Sequence, residues 1–202
     1  MLKQTCPEWK AIIVFDGIEP TLNPDDPRIQ IIQSPKLELE LGKDRPVGAG
    51  HVRNYGIQHA TTEWVAFIDD DDTITRNYVE CFLEEMQNNG CDLILFRMTP
   101  IIHHEYYTEL ILMPASYAED FVKNDVGISF AVKKSVFDSG IVFETGEFED
   151  FVFLEKVRRN NNTIIISPYV LYLIRYYSEV DKMILADTRV FINFPICVQK
   201  LK

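Results

Sequence analysis

Short apolar runs alternate along this chain with segments whose apolar residues recur every three or four positions. Runs of the first kind predict buried strands, the second kind predicts helices, and their alternation predicts an α/β fold. Ala11 to Phe15 (AIIVF) reads as a buried strand closed by the turn signal Asp16-Gly17. Ile29 to Ile32 reads as a second strand, after a polar loop holding Pro20, Pro24 and Pro27. Leu37 to Leu41 alternates apolar and acidic residues and fits strand or loop equally. Ala49 to Ala60 has helical spacing, and Trp64 to Ile68 (WVAFI) is the clearest buried strand.

Thr73 or Thr75 is expected to cap the next helix, in which Ile74, Tyr78, Phe82 and Met86 are spaced at four, and Asn88-Asn89-Gly90 stops it. Asp92 to Met98 and Val126 to Val132 read as strands, with a strand pair and loops expected over Thr99 to Lys123. Lys133 to Ser139 and Glu147 to Asn160 read as helices, and Thr163 to Ile166 and Tyr169 to Tyr177 as strands. The tail from Asp181 is expected to be helical. No internal repeat or low-complexity linker interrupts the chain, so residues 1–202 read as a single domain.

Composition narrows the function classes. Against 20 Lys and Arg stand 31 Asp and Glu, a formal net charge of -11. A nucleic-acid binder needs a positive face for the phosphate backbone, so no nucleic-acid partner is expected. Cys6, Cys81, Cys91 and Cys197 form no C-x-x-C pair, which argues against a zinc site and points to a reduced, cytoplasmic chain. No apolar run is long enough to span a bilayer, and Met1 opens no signal peptide. His103-His104-Glu105 is a weak metal candidate, because neighbouring side chains on a strand diverge. Tyr106, Tyr107 and Tyr117 read as packing residues before sugar-stacking ones.

The chemistry concentrates at Asp69-Asp70-Asp71-Asp72, set at the carboxyl end of WVAFI. Four adjacent carboxylates repel one another unless solvent or a cation intervenes. In open α/β sheets the ligand crevice lies outside the carboxyl ends of the strands. Alternation along a strand puts Asp69 and Asp71 on one side, where two carboxylates suit a hard cation, Mg2+ or Mn2+, completed by water and substrate phosphates. A solvated acidic loop is the plain alternative. Asp69 to Thr73 also resembles the Asp-x-Asp-x-Thr signature of haloacid-dehalogenase-type phosphatases, which makes a Mg2+-dependent phosphatase the second reading.

The stretch from Val47 to Thr73 (VGAGHVRNYGIQHATTEWVAFIDDDDT) resembles the core of glycosyltransferase family 2, of the GT-A fold. Arg53, Asn54, Gly56 and Ile57 match that family's Ala-Arg-Asn-x-Gly-Ile type motif, and Asp69 and Asp71 its Asp-x-Asp pair. Gln4 to Gly17 is similar to the segment in which a Pro-x-Trp strand ends in Asp-Gly, and Glu149-Asp150 to the Glu-Asp motif at a helix start. The resemblance implies a Rossmann-like mixed sheet flanked by helices. It implies a metal-dependent, inverting transfer of sugar from a nucleoside-diphosphate sugar, expected to be a UDP-sugar, to a hydroxyl of a glycan, lipid or protein acceptor. An inactive nucleotide-sugar-binding module is the remaining alternative.

The same resemblance implies the site. Asp71 would coordinate the metal, with Asp69 on the metal or the ribose. Asp16 would meet the base or ribose, with Arg53 near the base. Asp70 is counted with these donor-binding groups, although Asp70 and Asp72 flank the pair that carries the chemistry. Asp150 would be the catalytic base, and Thr99 to Asn124 part of the acceptor side. Two departures stand out. Members carry a strand and helix ahead of the segment matched at Gln4, so the first strand is expected to be missing. Many also carry a metal-reaching His where Tyr176-Tyr177-Ser178 stands here.

Overall fold

The structure, a computed structural model, describes residues 1–35, 49–101, 112–175 and 192–198. For Pro100, Ile101, Arg175 and residues 192–198 it describes the backbone alone. Among the described residues eight strands form one sheet: β1 (Lys10–Asp16), β2 (Ile29–Ser34), β3 (Trp64–Ile68), β4 (Thr73–Ile74), β5 (Leu93–Ile101), β6 (Phe130–Lys133), β7 (Ile164–Arg175) and β8 (Ile192–Val198). Four helices among the described residues accompany it: α1 (Gly50–His59), α2 (Tyr78–Asn88), α3 (Lys134–Asp138) and α4 (Glu149–Arg159). The spatial order is β2-β1-β8-β3-β6-β5-β7-β4. Strand β8 runs antiparallel to both β1 and β3, so those two point the same way and deliver Asp16 and Asp69 to one edge.

The central strands are apolar without interruption because both faces are covered. Along β3, Val65 and Phe67 enter one core while Trp64, Ala66 and Ile68 enter the other. Strand β5 divides likewise, Leu93 and Leu95 against Ile94 and Phe96. Helices α1, α3 and α4 close the first core with Val52, Ile57, Phe137, Phe153 and Leu154. Helix α2 closes the second with Tyr78, Val79 and Phe82. An aromatic stack ties α4 down: the rings of Phe143 and Phe153 lie 4.3 Å apart at 17°, and Phe130 stacks on Phe153 at 5.5 Å. Burying these rings fixes the helix whose first turn carries Asp150.

Several elements depart from the sequence expectation. Thr73 and Ile74 do not open a helix but form β4, whose Thr73 pairs with Leu173 and Ile74 with Tyr172 of β7. Two β-branched residues beside an open sheet edge favour pairing over capping. Helix α2 starts at Tyr78, where Gln4 accepts from the Val79 N–H at 3.1 Å and donates to the Thr75 carbonyl at 2.7 Å. The two expected strands over 163–177 are one long β7, and the strand expected from Val126 begins at Phe130. The helix expected from Asp181 is contradicted at residues 192–198, which are strand β8. That segment (INFPICV) is apolar and fills the slot between β1 and β3, where both neighbours supply ladder partners. Among the described residues β1 is the first strand. Leu37 to Leu41, the His103 cluster, Tyr106, Tyr107 and Tyr176 to Ser178 lie outside the described residues.

Candidate functional site

The site is built where β1, β3 and the start of α4 meet. Asp16 ends β1 opposite Ser34 of the parallel β2, and Gly17, at φ 63°, turns the chain away. Asp16 Oδ1 lies 2.9 Å from His51 Nε2 on α1 and 3.2 Å from Ser34 Oγ. Asp16 is thereby fixed by two elements and stays partly exposed.

Helix α1 carries the centre of the network. Gly50 lets it approach closely: an added Cβ would meet the Glu144 carbonyl at 2.4 Å. Asn54 clips the same segment in both directions, donating to the Phe143 carbonyl at 2.9 Å and accepting from the Phe143 N–H at 3.0 Å. Arg53 is 3% exposed, and its guanidinium bridges two motifs. Nη2 donates to Asp69 Oδ1 and Oδ2 at 2.8 and 3.1 Å, and Nη1 donates to Glu149 Oε1 at 3.0 Å. A buried cation demands such partners, since an unpaired one is expensive. Arg53 Nε has no hydrogen-bond partner among the described residues.

Asp69 is held twice more. Its N–H donates to the Tyr172 hydroxyl at 3.0 Å, and its carbonyl accepts from the Asp72 N–H at 3.1 Å. This turn leaves Asp70 and Asp71 exposed at the tip and Asp69 and Asp72 half-buried at the base. Asp69 and Asp72 wall a cavity of about 240 Å³ together with Asn124, Tyr172 and Asp150, against an apolar side of Met98, Val126, Ile128 and Ile174. The loop also borders a wider opening of about 550 Å³ toward Met1–Gln4 and Arg76. The structure therefore brings Asp69 and Asp150 to one cavity, with Arg53 behind them. Asp16 stands at the same sheet edge, and Asp70 and Asp71 lie at the loop tip.

Asp150 sits in the first turn of α4, just after Phe148, which takes the left-handed conformation at φ 61°. Burial is the largest influence on its carboxyl and pushes the pKa above the ordinary value; the Phe151 N–H and Arg53 oppose that, while Glu149 and Asp69 add to it. A carboxylate with a raised pKa is a better proton acceptor, which is what a general base requires. Tyr172 is buried, and its hydroxyl is pushed well above the ordinary tyrosine value by burial, then by Asp69 and Asp72, so it stays a donor.

Tyr172 and Gly127 line the cavity without having been marked by the sequence; Asn124 enters from the end of the segment expected on the acceptor side, and Glu149, half of the Glu-Asp match, is held by Arg53. The sequence gives Glu149 no role of its own within that match, and Asp72 reads there as a flanking residue. Tyr172 lies in an apolar strand where nothing distinguishes it; only the β4–β7 pairing brings it to Asp69. Among the described residues no three His, Cys, Asp or Glu side chains converge on one point to form a complete metal cage. The loop still suits a hard cation such as Mg2+ or Mn2+, which binds through one or two carboxylates plus substrate phosphates. No helix among the described residues is long and apolar enough to cross a membrane.

The family model described as Glycosyl transferase family 2 matches residues 1–135. Glycosyltransferase GlyG of Streptococcus pneumoniae serotype 4 is 26% identical over 95 residues, covering 47% of this chain and 31% of that protein. S. aureus TarS 1–349 in complex with UDP-GlcNAc superposes with a TM-score of 0.62 at 18% identity, over 90% of this chain and 54% of that one. The complex of the same protein with UDP gives 0.61 at 20% identity, over 86% and 54%. The chain thus spans about a third of the curated relative and about half of the solved one. The mixed sheet flanked by helices is the fold of these TarS structures, and the phosphatase alternative falls away with the match. With that family model matching residues 1–135, about two thirds of its length, this chain belongs to glycosyl transferase family 2.

Proposed function

We propose that the chain is the catalytic domain of a metal-dependent, inverting glycosyltransferase that takes its sugar from a UDP-sugar. The observation that carries this reading is the shared cavity, which Asp69, Asp72 and Asp150 all line. A sugar bound there lies between a diphosphate at the acidic loop and a base at α4. Asp71, exposed at the tip, and Asp69 would hold Mg2+ or Mn2+, whose chemistry is to neutralise the leaving diphosphate. Asp16, steadied by His51 and Ser34, accepts from the nucleotide base or ribose.

The transfer is a single displacement. The acceptor oxygen attacks the anomeric carbon as the bond to the diphosphate breaks, and Asp150 takes the acceptor proton. Arg53 fixes the distance between loop and helix by binding Asp69 and Glu149 at once. The relatives support the donor class, because TarS has been solved with UDP and with UDP-GlcNAc. The acceptor remains a glycan, lipid or protein hydroxyl near the segment that contributes Asn124.

The test is hydrolysis of UDP-GlcNAc and UDP-glucose to UDP by the purified chain, with Mn2+ or Mg2+ and then with EDTA. UDP release that stops with EDTA is expected. UDP binding without release or transfer would instead make the chain a nucleotide-sugar-binding module. Release that EDTA does not affect would remove the metal.

A further inference from the structure

We propose that His51 is a positioning residue that sets the base specificity of the donor site. It holds one oxygen of Asp16 on the protein side, so that Asp16 offers a base a single acceptor atom. That suits the lone imide N–H of uracil and not the paired N–H donors of guanine. The proposal rests on the donor reading above and deepens it at the base end.

The sheet decides which end of a nucleotide Asp16 meets. Strand β8 lies between β1 and β3, with Ile192 beside Phe15 and Phe194 beside Ile68. Asp16 and Asp69 each follow by one residue, so they stand two strand steps, about 10 Å, apart across the sheet. A nucleoside diphosphate with its phosphates at the Asp69 loop carries its ribose across that interval and its base to Asp16.

The two oxygens of Asp16 are not equivalent. Oδ1 lies 2.9 Å from His51 Nε2 and 3.2 Å from Ser34 Oγ. A carboxylate only accepts, so the imidazole N–H donates to it. Ser34 is 3% exposed and divides its one proton between Oδ1 and the Phe15 carbonyl, which lies 3.3 Å away. Oδ1 therefore faces the protein, although Asp16 as a whole stays partly exposed. Among the described residues no donor is set on Oδ2, which leaves that oxygen for a ligand.

Base chemistry divides at this point. Uracil presents one N–H between two carbonyl oxygens. It fits a single acceptor atom, and a second carboxylate oxygen brought into its plane would only meet those carbonyls. Guanine presents two parallel N–H donors, from the ring and from the exocyclic amine, and engages a carboxylate through both oxygens. With Oδ1 turned to His51, one guanine donor leaves water without an acceptor, a loss of about tenfold or more in affinity. A small side chain at position 51 could not reach Asp16, and the carboxylate would be able to turn.

The experiment is calorimetric binding of UDP, GDP and inorganic pyrophosphate, with Mn2+ present, to the wild-type chain and to His51→Ala and His51→Gln. Wild type is expected to bind UDP at least about tenfold more tightly than GDP. His51→Ala leaves Oδ1 to Ser34 alone, so UDP should weaken by about 3- to 10-fold, the worth of one hydrogen bond. GDP should not weaken, and the gap between the two should narrow. His51→Gln places an amide N–H where the imidazole N–H stood and should restore the wild-type gap. Pyrophosphate should bind all three chains alike, which separates the base end from the phosphate end and from a general loss of structure. Three results would overturn the inference and leave a nucleotide-sugar donor in place: equal binding of UDP and GDP by wild type, an unchanged gap in His51→Ala, or a loss of pyrophosphate binding in step with UDP. Failure of wild type to bind either nucleotide would instead sink the donor reading, and this inference with it.

Discussion

Arg53 Nη2 lies within 3.1 Å of both carboxylate oxygens of Asp69, while Nη1 of the same guanidinium holds Glu149 at 3.0 Å. One buried cation thus links the loop that follows β3 to the helix start that carries Asp150. The two motifs are 80 residues apart in the chain by the positions of Asp69 and Glu149, and only the fold joins them.

Arg53→Lys keeps the charge but loses the fork, because an ammonium is a point charge that cannot reach two carboxylates in one plane. Urea denaturation should show a loss of about 3 kcal/mol or less, at the low end for a broken buried pair because Asp69 and Glu149 are partly exposed. Donor turnover should fall further than stability does. A variant with wild-type turnover would mean that the bridge does not position the site.

Asp150 makes a pH-dependent contribution to stability whose sign can be worked out. Its folded pKa lies above the ordinary 3.8, chiefly through burial. Between these values the folded state binds the proton more tightly than the unfolded state, so stability falls as pH rises through the window. Above the folded pKa the full cost is present. Asp150→Asn removes it, so the variant should melt higher than wild type near pH 7, with the gap closing below 3.8. A gap that widened in acid would contradict the raised pKa.

Much of this site is legible in the sequence, and the limits have physical causes. Strands β1 and β3 are continuous apolar runs because both faces are buried, so their ends, and with them Asp16 and Asp69, could be placed from pattern alone. Asp150 comes from the resemblance of Glu149-Asp150 to a family motif, since a helix start by itself favours any acidic residue. Tyr172 and the role of Glu149 do not, because each depends on a partner about a hundred residues away, Asp69 for one and Arg53 for the other. Strand β8 reads as helix in the sequence because an isolated apolar segment carries no information about the slot it will fill. Of the two expected caps, Thr73 or Thr75, Thr73 pairs in β4 for the same reason, since its partner Leu173 lies far along the chain.

Gly127 keeps the cavity open. A Cβ there would stand 3.0 Å from Met98 Cε, 3.1 Å from Met98 Sδ and 3.6 Å from Asp150 Oδ2. Methionine is adaptable, so Gly127→Ala should fold, at a cost of about 1 kcal/mol in thermal or urea denaturation. Its KM for a UDP-sugar should rise while the Kd for UDP stays put. An unchanged KM would place the sugar elsewhere.

Asp71 is exposed at the loop tip, and its replacement should barely touch the fold. Asp71→Ala is expected to change stability by no more than about 0.5 kcal/mol, as for other surface positions. Mn2+ affinity, followed by electron paramagnetic resonance in the presence of UDP, should drop sharply. Undiminished Mn2+ binding would move the metal to the other carboxylates of the loop.

The most direct test is single-turnover transfer by Asp150→Asn against wild type, with UDP-GlcNAc, Mn2+ and the acceptor that wild type uses. A general base typically contributes about 100- to 10,000-fold, so the transfer rate should fall within that range while the Kd for UDP remains within about twofold. Transfer at the wild-type rate with Asn at position 150 would contradict the assignment of this cavity as the catalytic centre.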